Sequence, residues 1–170
     1  MKNLKKILAV VLVLVMAMSL TGCMTTKTAS STELKVSDTE QNPDMSAYTN
    51  DFDGIVAYLK ACEVIAGEGS DMSADFIGAV KGQKFFFTYS GAKATCEIYE
   101  YDLDNLTAEA QAILDSVKTN GYFVSLDTEI KASVSASGKF LMIYVNDSDD
   151  DAQVKMSARL TDKFSNFVGK

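Results

Sequence analysis

The chain has 170 residues, 16 basic against 23 acidic, three cysteines, no histidine and no tryptophan, for a formal net charge of −7. The missing imidazole excludes Ser-His-Asp triads, Cys-His pairs and the usual catalytic zinc sites, and an acidic surface argues against nucleic acid or an anionic lipid face as partner. A chain of this size holds one compact core.

Lys2, Lys5 and Lys6 precede an unbroken apolar run from Ile7 to Met18, and Ser19 to Gly22 lead to Cys23. This is the three-part layout of an export signal. The uncharged stretch is short for a membrane span, which needs roughly 20 apolar residues, so a permanent anchor helix is not expected. Leu20-Thr21-Gly22-Cys23 resembles the lipobox of bacterial lipoproteins, with Leu three before the cysteine and Gly directly before it. The resemblance covers residues 1–23. It implies that residues 1–22 are a signal peptide and that Cys23 starts the mature chain, carrying acyl groups such as palmitate. Paired acyl chains would hold the protein stably on the extracytoplasmic face of the cell membrane. In such families an Asp after the cysteine can mark inner-membrane retention; Met24 stands there. The mature chain keeps 13 basic and 23 acidic residues, a net −10.

Residues 24–48 are rich in small polar residues, hold the only proline, Pro43, and show no sustained apolar period, which predicts a disordered tether over 23–48. From Asp51 to Ala66 the residues Phe52, Ile55, Val56, Leu59, Cys62 and Ala66 recur at helical spacing, with Asn50 or Thr49 as N-cap and Gly67 as stop. Tyr58, Val64 and Ile65 widen that stripe, so the helix should be heavily buried. Asp71 to Lys81 reads as a loop with a helical turn. Gln83 to Ser90 and Ala94 to Asp102, aromatic-rich either side of a Gly-containing turn, predict a β-hairpin. Leu106, Ala110, Ile113, Leu114 and Val117 trace a helix capped near Asp104, Asn105 or Thr107 and ended by Asn120-Gly121.

Tyr122 to Leu126 reads as a short strand or a lead-in. Lys131 to Ala136 and Lys139 to Asn146 flank Ser137-Gly138 as a second hairpin, and Met156, Leu160, Phe164 and Phe167 mark a closing helix. The order of hairpin, acidic turn and helix thus occurs twice, suggesting a duplicated ββα unit. The fold expected is α+β: an N-terminal helix, then two ββα units forming a mostly antiparallel sheet with helices packed on it, as a single domain over 49–170. Alternation groups Cys96 and Ile98 with Leu141, Ile143 and Val145 under the repeat helices. Tyr99, Tyr101, Phe140, Met142 and Tyr144 then take the other side, together with Phe85, Phe87 and Tyr89.

That aromatic side is the main candidate for a ligand surface, with Tyr99, Tyr101 and Tyr144 as its ligand-binding residues; covered by the first helix, it would be ordinary core. Asp147, Asp149, Asp150 and Asp151 imitate the start of a calcium loop, but Ala152 and Ala158 stand where an EF-hand needs Gly and Glu. They read as helix-capping acids, and no metal or cofactor is expected. Glu97 and Glu100 face opposite ways on one strand, and Asp102 and Asp104 are turn residues, so no carboxylate pair suits glycoside chemistry. Cys62 and Cys96 fall on apolar sides of their elements, as buried thiols or, in an exported protein, a disulfide.

The overall look resembles the small lipoproteins of unknown function in Firmicutes. The leading expectation is a non-enzymatic, lipid-anchored extracytoplasmic domain that binds an envelope protein or glycan and no nucleic acid. The rivals are a small carboxylate-dependent envelope hydrolase and a structural spacer or assembly factor.

Overall fold

The structure, a computed structural model, describes residues 31–170. The signal peptide and Cys23 lie outside the described residues. Among those described, three α-helices and eight strands form a mixed sheet and a separate hairpin. None of the helices is long and apolar enough to cross a membrane.

The chain enters through β1 (Thr32–Glu33), which pairs in parallel with Phe87 and Thr88. A 3₁₀ turn (Met45–Ala47) leads to α1 (Phe52–Ala61), whose N-cap is Asp51, its carboxylate accepting from the Gly54 N–H. α1 ends sooner than the apolar stripe. Cys62 is its C-cap, and Glu63 takes a left-handed conformation (φ 55°) that turns the buried Val64 and Ile65 inward. Those residues widened the stripe because they belong to the same core, although not to the helix. β2 (Ser70–Asp71) and a 3₁₀ turn (Asp75–Ile77) follow.

β3 (Lys81–Tyr89) and β4 (Ala92–Glu100) form the long hairpin. Its turn residues Ser90 and Gly91 both have positive φ, as a two-residue turn matched to strand twist requires. α2 (Ala108–Asn120) is capped by Thr107 and closed by Gly121 in the left-handed region. β5 (Tyr122–Ser125) and β6 (Thr128–Lys131) make a small sheet of their own around Leu126-Asp127. β7 (Ser133–Val134) then joins the main sheet beside β8 (Phe140–Asn146), and α3 (Asp151–Ser165) closes the chain. The main order is β1-β3-β4-β8-β7, with β2 also on β3.

This overturns the expected architecture of two ββα units on a mostly antiparallel sheet. The sheet is mixed because β1 adds in parallel. The supposed second unit is not a copy of the first, because its leading strand is divided. Thr128–Lys131 pairs with β5, and only Ser133–Val134 pairs with β8. The expected tether is also shorter. Leu34 is 5% exposed within the main core, its N–H donates to the Thr88 carbonyl at 2.7 Å, and Lys163 holds Glu40 at 2.8 Å. The chain end is bound to the same segment, since Lys170 N–H donates to Tyr48 O and Asn50 N–H to Lys170 O. Residues 31–48 are therefore part of the domain, against the expected span of 49–170.

The facing of the strands also differs from expectation. Ile98 stands opposite Met142, and Cys96 opposite Tyr144. Directly opposed residues share a face, and shifting a register by one residue exchanges the faces. Cys96 and Ile98 accordingly join Phe85, Phe87, Phe140 and Met142 in a core under α1 and α3. Tyr99, Tyr101 and Leu141 join Phe123, Ala110, Leu114 and Val117 in a second core under α2 and the β5–β6 hairpin. The two long helices that were expected on one side lie on opposite sides.

Candidate functional site

Tyr99 and Tyr101 are fully buried on the α2 side of the sheet. Tyr144, by contrast, is half-buried on the α1–α3 side, stacked on Phe87 with ring centroids 6.5 Å apart. The three tyrosines therefore do not share a surface. Tyr99 crosses over Gly82, where an added Cβ would come 3.0 Å from its ring, and donates its hydroxyl to Glu97 at 2.8 Å. Burial first, and then the neighbouring Glu97 charge, push its hydroxyl well above the ordinary phenol range; burial does the same to Tyr101. Neither phenol can act as an acid or base near neutral pH.

Cys62 and Cys96 are free and fully buried in one core. Burial raises both thiol pKa values, chiefly by penalising the thiolate, so they behave as small apolar side chains. Glu97 and Glu100 point to opposite faces, and each is taken by a lysine: Lys84 meets Glu97 at 2.6 Å and Lys139 meets Glu100 at 2.8 Å. Asp150 caps α3 by accepting the Gln153 N–H, and Asp147 accepts the Lys93 N–H. Among the described residues no group of three His, Cys, Asp or Glu is placed to hold a metal ion.

What the fold leaves open lies at one corner of the sheet. On the α2 side, Phe86, Thr95 and Val145 form a cross-strand row beyond the reach of α2, with Phe86 40% and Val145 59% exposed. The Lys84–Glu97 pair borders this row, and the exposed Phe76 caps the far side by packing edge-on against Tyr99 at 6.1 Å. Phe86 was legible in the sequence. Strand alternation places it opposite Phe85 and Phe87, but a triple phenylalanine reads as one aromatic block.

The second open feature is the outer edge of β8. Ser135 N–H donates to Phe140 O, whereas Tyr101 N–H donates to Lys139 O and Asp147 N–H to Lys93 O. Odd positions of β8 thus serve β4, and even positions point their backbone groups outward. β7 reaches only Leu141 and Met142 before the chain bends away at Ala132 to join β5. Among the described residues nothing pairs with the outward N–H and C=O groups of Tyr144 and Asn146. Beside them runs a groove of about 180 Å³ between this edge and α3, lined by Lys131, Ser133, Met142, Tyr144, Ser157 and Thr161. The Tyr144 hydroxyl is itself buried without a hydrogen-bond partner, its ring turned over Phe87. Chemically this corner offers backbone groups for strand pairing beside a groove lined by hydroxyls and the Lys131 amine.

Compared with family models, curated proteins and solved structures, the chain matches none.

Proposed function

We propose that the chain is a lipid-anchored extracytoplasmic lipoprotein whose folded part is a non-enzymatic interaction domain for another component of the bacterial envelope, a protein in preference to a glycan. The observation that carries the reading is the uncovered row of Phe86, Thr95 and Val145. It is an exposed, mostly apolar row beside the Lys84–Glu97 ion pair, and exposed apolar surface next to paired charges suits a protein contact. The lipobox Leu20-Thr21-Gly22-Cys23 supplies the address. From Cys23 to Thr32 the chain can reach at most about 30 Å, so the domain would sit close to the membrane with its β1 edge toward the anchor.

The test has two arms. Cells fed a palmitate analogue should label the protein and lose the label with Cys23→Ala; equal labelling of both would refute the anchor. Envelope proteins recovered with the parent should be lost with the double substitution Phe86→Ser and Val145→Ser while the melting transition is retained. Undiminished recovery, or cleavage of peptidoglycan by the purified protein, would refute the interaction reading.

A further inference from the structure

We propose that the open half of β8 takes up an extended, basic peptide segment as an added strand, an inference that rests on the interaction reading above and names its chemistry. The sheet has two long edges, treated differently by the fold. On the β3 side, β1 covers Phe87 and Thr88 and β2 covers Gln83 and Lys84. Short covering strands of this kind are how edges are kept from pairing with other chains. On the β8 side the cover stops at Met142, and Tyr144 and Asn146 present two outward N–H groups and two outward C=O groups. An extended peptide satisfies such groups in alternation, and its side chains then fall alternately to the two faces.

Both faces are ready for such side chains. Toward α3, alternate side chains would enter the groove floored by Met142 and Tyr144. Toward α2, the intervening ones would continue the row of Phe86, Thr95 and Val145 by one more strand.

Charge selects the occupant. The groove's only charged lining residue is Lys131, and the negative charge lies at the end of β8, which runs out into the exposed Asp147, Asp149, Asp150 and Asp151. A lysine or arginine at the end of the added strand finds complementary charge there, whereas a second copy of this chain, itself at −7, meets net repulsion. Geometry agrees with access. The anchored end of the chain arrives at β1, and β3 and β4 separate that strand from β8, so the open edge lies on the side away from the tether.

The test uses the full lipidated protein in nanodiscs and a short synthetic probe of alternating valine and lysine. Two controls accompany it: the glutamate counterpart, and the same Val–Lys peptide N-methylated at every residue so that it keeps its side chains but offers no backbone donor on either edge. The Val–Lys probe should bind saturably, slow amide exchange at Tyr144 and Asn146, and leave β3 unchanged. The N-methylated probe should bind about tenfold more weakly, and the glutamate peptide should not bind. In Asn146→Pro the outward N–H is removed at a position that makes no β4 bond, where proline is tolerated, and affinity should again fall about tenfold. Should that variant fail to fold, the N-methylated probe decides alone. The inference is overturned if the N-methylated or glutamate peptide binds as well as the parent probe, if protection appears elsewhere, or if the Val–Lys probe does not bind. Undiminished recovery of an envelope partner by folded Asn146→Pro would likewise overturn strand addition while leaving the interaction reading intact. Loss of partners with Phe86→Ser and Val145→Ser is read separately.

Discussion

Leu34→Ala tests whether residues 31–48 belong to the fold. Leu34 is 5% exposed, lies in the core with Phe85, Phe87 and Leu59, and is fixed by its own backbone bond to Thr88. Truncating a buried leucine costs about 2–5 kcal/mol, the higher values belonging to sites that cannot collapse. Val36, Met45 and Tyr48, from the same segment, pack on this core only partly buried and can settle. The expected cost is therefore about 2–3 kcal/mol, in the lower half of that range. Urea unfolding followed by circular dichroism should show a lower midpoint at unchanged slope, which reports lost stability without a change in surface exposed. Leu59→Ala, on the fully buried face of α1, should cost more. Lys35→Ala, next along the chain and exposed, should change stability by less than about 0.5 kcal/mol. If Leu34→Ala matched Lys35→Ala, the segment would be a loose tether and the packing argument would be wrong.

Gly54→Ala should destabilise even though alanine favours helices by about 1 kcal/mol, because the new Cβ would lie 2.0 Å from the Thr49 carbonyl oxygen; a rise in melting temperature would refute this. Tyr101→Phe removes a buried hydroxyl with no partner and should leave stability unchanged or raised, whereas Tyr99→Phe strips Glu97 of a donor and should cost about 1 kcal/mol; the order of the two urea midpoints checks it. Asp51 has its pKa lowered in the fold, first by the Gly54 N–H bond, so its stabilisation is complete above the unfolded carboxyl pKa and is lost as pH falls through the folded value; the difference between parent and Asp51→Ala in urea should shrink across that acid range and stay level above it. In the Cys23→Ala protein, Ellman's reagent should find no reactive thiol in the folded state and both Cys62 and Cys96 after unfolding without reductant, since both are buried and free; unfolding that releases no thiol would show a disulfide.

Helix positions were legible where the signal is local. Thr107, the spaced Ala110, Leu114 and Val117, and Gly121 make both the start and the stop of α2 readable from neighbours a few residues away. The same reading overran on α1, because Val64 and Ile65 are apolar for the shared core and not for the helix, and the terminating Glu63 carries no glycine to announce its left-handed φ. Residues 31–48 were misread for a different reason. A segment that docks through Leu34, a 3₁₀ turn and a few side-chain bonds has no period to detect. Its stability comes from the surface it meets and not from its own pattern.

The sheet faces show a limit of another kind. Alternation within β4 and within β8 is plain in the sequence, yet it leaves open which set of one strand shares a face with which set of the other, and a slip of one residue exchanges them. Here the register pairs Ile98 with Met142 and Cys96 with Tyr144, under α1 and α3. Ahead of Ser133 the chain runs at Ala132 toward β5 instead of along β8, which uncovers Tyr144 and Asn146. A site of this type consists of a missing neighbour and not of a set of reactive side chains, so no spacing of residues along the chain could have signalled it.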